Sequence, residues 1–236
     1  MLRSIFKTLA KTIDWEKRLN NEMPFILSLI RNTGGKQICD LGGGTGRHSL
    51  YLQQKGYNVT LVDPDTESLE EAKKIGVEKV ICASFSDFNK NVSGLDFILC
   101  IGNGLASLPQ NEFPAFIQNC HRVLHKKGAL FIQILNFDFI QSQEYFVISS
   151  KVYENILFLR FIEPFDKEKM IFHLVMTDLN SQETVIEKRN FNVYFADSIS
   201  EMLLNNGFKK VNFYADFKGT PYNKDSGRDT IFCATK

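Results

Sequence analysis

Apolar runs alternate with amphipathic segments along the first 135 residues. The apolar runs at 36–41, 58–63, 78–85, 94–102 and 128–135 are short and nearly continuous. Such runs are typical of strands that are covered on both faces. The segments between them predict helices at 46–55, 64–76 and 110–126, and a further helical stretch at 3–31 in which Pro24 opens a second helix. The alternation predicts an α/β fold with a doubly wound parallel sheet.

The pattern changes after Asn136. From about 144 to 195 apolar and polar positions alternate with period two, which predicts three or four antiparallel strands inserted as a small cap. A helix closed by Gly207 and two last strands follow. We therefore expect a Rossmann-like seven-stranded core made of residues 1–140 and 196–236, and a β cap made of residues 141–195.

Composition narrows the class of protein. The 236 residues carry 28 Lys plus Arg and 27 Asp plus Glu, so the net charge of +1 gives no bulk attraction for nucleic acid or anionic membranes. No apolar run approaches the roughly 20 residues that span a bilayer. We expect neither a nucleic acid nor a membrane as partner. The basic, amphipathic N-terminus is compatible with a mitochondrial presequence, although a surface helix is the simpler interpretation.

Cysteine and histidine usage points to a reduced compartment without metal. The five cysteines form no CxxC pair and lie mostly in strand-like runs, which indicates a cytoplasmic protein with buried thiols. His121 and His125 are four residues apart on a predicted helix, but no third ligand accompanies them. We expect no metal site.

The segment "DLGGGTG", residues 40–46, is the strongest chemical signal. A dinucleotide loop requires GxGxxG, but Arg47 or Ser49 stands where the third glycine belongs. The spacing is instead Asp40-x-Gly42-x-Gly44-x-Gly46, with Gly43 between the first two glycines. It resembles motif I, "DxGxGxG", of the class I S-adenosylmethionine-dependent methyltransferases. The resemblance implies S-adenosylmethionine as cofactor, with Asp40 supporting the loop and the glycines letting the backbone approach the ligand.

The ends of the second and third predicted strands fit a nucleoside. "TLVDP" places Asp63 and Pro64 where the family holds the ribose hydroxyls, 21 residues after Gly42. Asp63 has the alternative role of capping the following helix. "CASFSDF" places Ser84 and Phe85 where the family contacts adenine, and Asp87 is the alternative polar residue.

Two segments indicate which methyltransferases are most similar. "CIGNGLASLP", residues 100–109, resembles the "CLGNSFAHLP"-like segment of glycine and sarcosine N-methyltransferases, and "LNFDFI", residues 135–140, resembles their "RNYDxI" segment. No Asn-Pro-Pro-Tyr follows the fourth strand, which argues against methylation of nucleobases. The resemblance implies a small-molecule amine as methyl acceptor. By similarity of position, Arg18 pairs with the methionine carboxylate or lies on a solvated helix face. Trp15 covers the ligand or, as the simpler interpretation, packs in the core or an interface. Backbone carbonyls near Cys100 and Ile101 are expected to accept from the cofactor's ammonium.

Candidate acceptor residues follow the fourth and fifth strands and lie in the cap. Asn103 and Asn136 either orient the acceptor or cofactor, or cap the local backbone. Arg160 binds a substrate carboxylate if it faces inward, and is a protective edge charge if it faces outward. Tyr222 and Arg228 are weaker candidates at the rim of the site.

Alternative functions remain open at this stage. They are a methyltransferase acting on RNA or protein, a nicotinamide-dependent oxidoreductase and a cofactor-binding module without chemistry. The sequence leaves the oligomeric state and the identity of the acceptor open.

Overall fold

The computed structural model describes residues 12–236, so the predicted helical stretch before residue 12 lies outside the described residues. The helices are α1 (Trp15–Thr33), α2 (Arg47–Gln54), α3 (Thr66–Lys74), α4 (Phe113–Val123), α5 (Phe137–Ile140) and α6 (Ala196–Asn205). The strands of the core are β1 (Gln37–Leu41), β2 (Asn58–Asp63), β3 (Val80–Cys82), β4 (Leu95–Cys100) and β5 (Leu124–Leu135). The later strands are β6 (Phe146–Tyr153), β7 (Ile156–Pro164), β8 (Lys169–Asp178), β9 (Thr184–Asn192), β10 (Lys210–Tyr214) and β11 (Asp229–Thr235).

Seven of the described strands form one sheet in the order β3-β2-β1-β4-β5-β11-β10. Strands β1 to β5 are parallel, β11 runs antiparallel to β5, and β10 runs antiparallel to β11. The predicted Rossmann-like, doubly wound seven-stranded fold is confirmed. The strand order reverses between β1 and β4, and ligands bind open α/β sheets at the carboxyl edge of such a switch point.

Strands β6 to β9 form a separate antiparallel sheet in sequential order, as the alternating pattern predicts. One face of this sheet is buried, with Phe158, Ile162, Met170 and Leu174 at most 1 % exposed. These side chains belong to the same apolar cluster as the core strands and α4. The cap sheet therefore packs directly on the core.

Helix α1 crosses strands β4 and β5, and its position determines where Arg18 lies. Asp14 caps the helix by accepting from the backbone N–H of Lys17 at 3.0 Å. Met23, Ile26 and Ile30 are fully buried in a second apolar cluster on this side of the sheet. This packing keeps the helix continuous through Pro24. The prediction that Pro24 opens a second helix is therefore wrong.

The boundary between α4 and β5 also differs from the prediction of a helix over 110–126. A short 3-10 turn occupies 110–112, α4 ends at Val123, and Leu124 is already extended and paired beside Leu95. Because the strand begins so early, His121 lies on the helix and His125 on β5, so the two imidazoles do not share a helix face. Among the described residues no group of three or more His, Cys, Asp or Glu side chains is arranged to hold a metal ion.

The cysteines are all free. Cys39, Cys100, Cys120 and Cys233 are buried, and burial raises the pKa of each thiol, to about 12 for Cys233. Cys82 is exposed. The four buried thiols are therefore packing groups. In the part of the chain that the structure describes, no helix is both long and apolar enough to cross a membrane.

Candidate cofactor and acceptor site

The loop after β1 exposes bare backbone at the switch point. Gly42 and Gly44 have φ of 73° and 55°, in the left-handed region that favours glycine. The N–H of Gly42 donates to the carbonyl of Val62 at 2.7 Å, which ties the loop to β2. A Cβ on Gly42 would lie 3.1 Å from the ring of Phe85, whereas one on Gly44 would meet nothing within 4 Å. The turn thus leaves an uncovered backbone surface beside an aromatic ring.

Asp40 supports this loop from inside the protein. It is 1 % exposed, and its Oδ2 accepts from the hydroxyl of Ser49 on α2 at 2.6 Å. Burial raises the pKa of Asp40, although His48 and Ser49 oppose the shift. A Cβ on Gly43 would lie 2.7 Å from this carboxyl, so Gly43 lets the loop pass over it. Asp40 joins the loop to α2.

Gly46 serves packing. It has φ of 75° and precedes α2. A Cβ there would come within 2.8–2.9 Å of Val77, Ala72 and Leu61. The third glycine therefore lets α2 pack closely on β2 and α3. For Gly46 the geometry does not support the predicted close approach to a ligand, because the side on which a Cβ would stand is filled.

Asp63 ends β2 beside the glycine loop. It is 9 % exposed, its Oδ2 accepts from the N–H of Gly44 at 2.9 Å, and its Oδ1 accepts from the N–H of Asp65 at 2.8 Å. Asp65, not Asp63, caps α3. The alternative role predicted for Asp63, capping the following helix, therefore belongs to Asp65. The carboxylate of Asp63 is fixed in place, and each oxygen retains a lone pair for a further donor.

Phe85 forms a wall between two glycine loops. A Cβ on Gly104 would lie 3.4 Å from its ring, compared with 3.1 Å for Gly42, and Phe116 packs edge-on at 5.7 Å between centroids. Ser84 donates from its hydroxyl to Oδ2 of Asp87 at 3.2 Å. The two predicted polar candidates thus form one hydrogen-bonded pair next to the aromatic wall.

Pro64 lies at the edge of this region. It is exposed, and its carbonyl oxygen accepts from the thiol of Cys82 at 3.6 Å. The contact links the end of β2 to the end of β3.

The loop after β4 carries an unsatisfied donor. Asn103 has φ of 64°, and its Oδ1 accepts from the N–H of Leu135 at 2.9 Å. Its Nδ2 is buried, with no hydrogen-bond partner among the described residues. Ile101 precedes it with a side chain 8 % exposed in the second apolar cluster. An amide group fixed at one end and unpaired at the other is suited to bind a ligand.

Gln133 and Asp229 are functional candidates that the sequence did not reveal. Oε1 of Gln133 accepts from the N–H of Gly102 at 2.6 Å, and its Nε2 donates to Oδ1 of Asp229 at 2.9 Å. Arg228 donates to Oδ2 of Asp229 at 2.7 and 3.0 Å. This relay connects the loop after β4 to the last loop of the chain. Only the fold places residues 102, 133 and 229 side by side.

Arg18 lies against the loop after β4. Its Nη2 is 3.9 Å from the position of a Cβ on Gly102, and its guanidinium carbon is 5.2 Å from the ring centroid of Trp15. Its Nε donates to Oε1 of Glu22 at 2.9 Å, and Oε2 of Glu22 lies 2.7 Å from Nε2 of His48. The i, i+4 spacing signals the Arg18–Glu22 pair in the sequence. Nothing in the sequence signals the contact with His48.

Arg160 faces inward on the cap sheet. It shares a face of β7 with the buried Phe158 and Ile162, and its Nε donates to the hydroxyl of Ser149 at 2.8 Å. Burial lowers the pKa of Arg160, and the charges of Arg228 and Arg18 lower it further. No ion pair to Arg160 is found within residues 12–236. The inward alternative for Arg160 is the one that the structure supports.

Asn136 has no capacity left for a ligand. It is fully buried, its Nδ2 donates to the carbonyls of Asn223 and Ser226 at 3.0 Å, and its Oδ1 accepts from the N–H of Phe139 at 3.3 Å. The hydroxyl of Tyr222 donates to the same Oδ1 at 3.0 Å. The geometry therefore favours the alternative role of Asn136 in fixing the local backbone over the role of orienting the acceptor.

Tyr222 belongs to the same structural contact. Its single hydroxyl proton is shared between Oδ1 of Asn136 and Oδ2 of Asp138, which lies 2.9 Å from the hydroxyl oxygen. Burial and the neighbouring carboxylate of Asp138 raise the pKa of Tyr222. Tyr222 thus anchors the last loop to the start of α5.

The chain is similar in sequence to known methyltransferases. Residues 38–128 match a protein family described as a methyltransferase domain. A glycine/sarcosine N-methyltransferase from Halorhodospira halochloris is 24% identical over 220 residues, which cover 90% of this chain and 80% of that protein.

Two solved structures resemble the fold along the whole chain. The S-adenosylmethionine-bound CalS10, an amino pentose methyltransferase from Micromonospora echinaspora, has a TM-score of 0.74 at 13% identity and covers 100% of this chain and 98% of its own. The sugar N-methyltransferase KedS8 from Streptoalloteichus sp ATCC 53650 has a TM-score of 0.72 at 14% identity and covers 100% of this chain and 94% of its own.

Proposed function

We propose that this chain methylates an amine of a small molecule that carries an anionic group. It does so as a class I S-adenosylmethionine-dependent methyltransferase, the class that its glycine loop predicts. The relative from Halorhodospira halochloris is a glycine/sarcosine N-methyltransferase. Because the cofactor is S-adenosylmethionine, a nicotinamide-dependent oxidoreductase is excluded. The observation that carries the proposal is Arg160, an inward-facing and partly buried cation that has no acidic partner among residues 12–236.

The residues at the switch point fit the cofactor. We assign Asp63 to the ribose hydroxyls because both its oxygens keep acceptor capacity. Phe85 provides an apolar wall for the adenine, and the uncovered backbone at Gly44 allows the ligand to approach closely. Arg18 supplies a guanidinium for the methionine carboxylate. When bound, S-adenosylmethionine supplies a methyl group on a positively charged sulfur, already activated for transfer.

The acceptor side is assigned to Asn103 and Arg160. The free Nδ2 of Asn103 donates to an oxygen of the acceptor and Arg160 holds its anionic group, so the lone pair of the amine stays free as the nucleophile. A partly buried charge without a counterion is unfavourable, so an anion bound at Arg160 is stabilised. A neutral amine needs no catalytic base, and positioning alone can lower a barrier by roughly 7–11 kcal/mol. These residues act by orienting the amine and excluding water.

The test compares matched amines. The purified chain is incubated with S-adenosylmethionine and either glycine or glycinamide, which differ in the carboxylate, and S-adenosylhomocysteine is quantified. We expect faster methylation of glycine. Arg160→Gln should reduce kcat/KM for glycine by about 10- to 100-fold and leave glycinamide unaffected, because one charged hydrogen bond contributes roughly 1.5–3 kcal/mol. Arg189→Gln on β9, exposed and paired with Glu187, is the control.

Two results would overturn parts of the proposal. Equal turnover of both amines, unaffected by Arg160→Gln, would refute the anionic acceptor. Failure to bind S-adenosylmethionine at millimolar concentration would refute this chain's activity as a methyltransferase.

A neutral amino sugar is the second candidate acceptor. The fold of the chain is similar over its whole length to an amino pentose methyltransferase and a sugar N-methyltransferase. An amino sugar without carboxylate therefore forms a third arm of the assay. If only the amino sugar is methylated, a neutral amino sugar replaces the anionic small molecule as the proposed acceptor. The RNA alternative is tested by adding bulk tRNA at increasing salt concentration. Binding to RNA phosphates would weaken steeply with salt.

A further inference from the structure

A buried chain of polar side chains connects the two helices that flank the candidate cofactor site. His48 is on α2, directly after the glycine loop, whereas Glu22 and Arg18 are on α1. The carboxylate of Glu22 bridges Nε2 of His48 at 2.7 Å and Nε of Arg18 at 2.9 Å. We propose that Glu22 and His48 are positioning residues that hold the guanidinium of Arg18 ready for the cofactor's carboxylate. The inference rests on the proposed role of Arg18.

Burial makes this arrangement rigid. Glu22 and His48 are 7 % and 5 % exposed, and a buried carboxylate is stable only when it is paired. Because each oxygen of Glu22 has its own partner, the carboxylate cannot rotate without breaking a contact. Burial alone would raise the pKa of Glu22, but the hydrogen bonds and charges of His48 and Arg18 outweigh it, and the pKa is lowered. Glu22 is therefore an anion at neutral pH.

The pairing leaves the outer part of Arg18 available. A guanidinium has five N–H donors in a fixed planar arrangement, and Glu22 takes the one on Nε. Trp15 packs on both partners, with His48 edge-on at 5.9 Å and the guanidinium carbon of Arg18 5.2 Å from the ring centroid. The terminal nitrogens of Arg18 keep their hydrogens, and Nη2 lies beside Gly102. A carboxylate at this loop meets an oriented pair of donors.

Glu22 also counteracts repulsion among three arginines. The charges of Arg18 and Arg228 both act on Arg160, and the charge of Glu22 acts on Arg228. Without Glu22, the like charges would favour an Arg18 side chain turned towards solvent. A pair on an exposed helix surface, by contrast, contributes little and would not determine the direction of Arg18.

A double-mutant cycle tests this role. The dissociation constant of S-adenosylhomocysteine is measured by titration calorimetry for Arg18→Gln, Glu22→Gln and the double variant. We expect each single change to weaken binding about tenfold, as for the loss of one charged hydrogen bond. The double variant should be no weaker than the poorer single variant, because Glu22 acts through Arg18. Glu16→Gln, an exposed position on the same helix, is the matched control.

Kinetics and a second site separate positioning from folding. Glu22→Gln should raise the KM for S-adenosylmethionine and leave kcat at saturating cofactor close to that of the wild type. His48→Gln retains a donor and should bind the ligand like the wild type, whereas His48→Phe should bind it several-fold more weakly. This second pair keeps the test valid if Glu22→Gln fails to fold.

The outcomes distinguish the inference from the proposed function. If Arg18→Gln leaves affinity unchanged, the cofactor role of Arg18 is wrong. If Arg18→Gln weakens binding but Glu22→Gln does not, or the two losses multiply to about a hundredfold, only the positioning role is overturned. If His48→Phe binds the ligand like the wild type, the contribution of His48 is refuted.

Discussion

Replacing Asp63 by alanine tests the ribose assignment most directly. The carboxylate holds the N–H groups of Gly44 and Asp65 at 2.9 and 2.8 Å and keeps one acceptor position on each oxygen. Two hydroxyl bonds to a charged acceptor, at about 1.5 kcal/mol each, amount to roughly 3 kcal/mol. Asp63→Ala should therefore raise the dissociation constant of S-adenosylhomocysteine by more than about 100-fold.

The same change also has a structural effect, which the assay must separate. Loss of the two backbone contacts should cost about 2 kcal/mol of unfolding free energy, or roughly 4–8 °C in melting temperature for a chain of this size. Calorimetric titration is performed well below the transition. Asp65→Ala is the control, because it removes the cap of α3, worth about 1 kcal/mol, two residues away. That variant should bind the ligand normally.

A ligand change completes the design. S-adenosylhomocysteine lacking the 2′-hydroxyl should bind the wild type more weakly than the intact ligand. Asp63→Ala should bind both ligands alike, because the partner of the hydroxyl is gone. An Asp63→Ala protein that retains wild-type affinity, or still distinguishes the two ligands, would refute the reasoning.

Three further predictions follow from the contacts of Asn136, the glycine loop and Glu22. Asn136→Ala loses four hydrogen bonds, worth about 1 kcal/mol each, and should lower the melting temperature by about 8–16 °C; unchanged melting with impaired acceptor binding would instead revive its acceptor role. Gly46→Ala should cost roughly 2–4 kcal/mol of unfolding free energy in a urea titration, because φ is positive and three side chains are too close. Gly44→Ala, in open space, should cost only about 1–2 kcal/mol, and equal losses would contradict the packing role of Gly46. Because the pKa of Glu22 is lowered, its stabilisation is complete above its ordinary value of 4.5 and disappears as pH falls through the lowered value. The difference in unfolding free energy between the wild type and Glu22→Gln should therefore shrink in acid, and a constant difference would show that the charge is irrelevant.

The cofactor contacts that we propose could be located from the sequence because their signals are local. Parallel strands place their carboxyl ends at one edge, so residues that follow β1, β2 and β4 meet there whatever lies between them. The glycine spacing at 42, 44 and 46 and the acid at 63 are each defined within a few residues. The distinct use of Gly46 was not predictable, because its neighbours Val77 and Ala72 come from another helix.

The direction of Arg160 illustrates why the acceptor half could not be read in the same way. Period-two alternation identifies a buried face only when the other face is polar. On β7 the opposite face carries Leu157, Leu159 and Phe161, so both faces are apolar and the sequence does not reveal which one meets the core. The burial of Phe158 and Ile162 decides it.

The residues assigned to the cofactor and those assigned to the acceptor come from different parts of the chain, which affects how the choice of acceptor can change. Most of the assigned cofactor contacts lie between residues 42 and 85, whereas Asn103, Arg160 and Arg228 come from the loop after β4, the cap sheet and the last loop. Gln133 and Asp229 connect the first and last of these loops. The cap contacts the site through packing and through Nδ2 of Asn192, which donates to the carbonyl of Ala106 in the loop after β4 at 3.2 Å. Substitutions on the inward face of β7 can therefore change the acceptor while the cofactor side stays intact. The partly buried charge of Arg160 is unfavourable without a counterion, so under the proposed role a bound anionic acceptor should stabilise the cap.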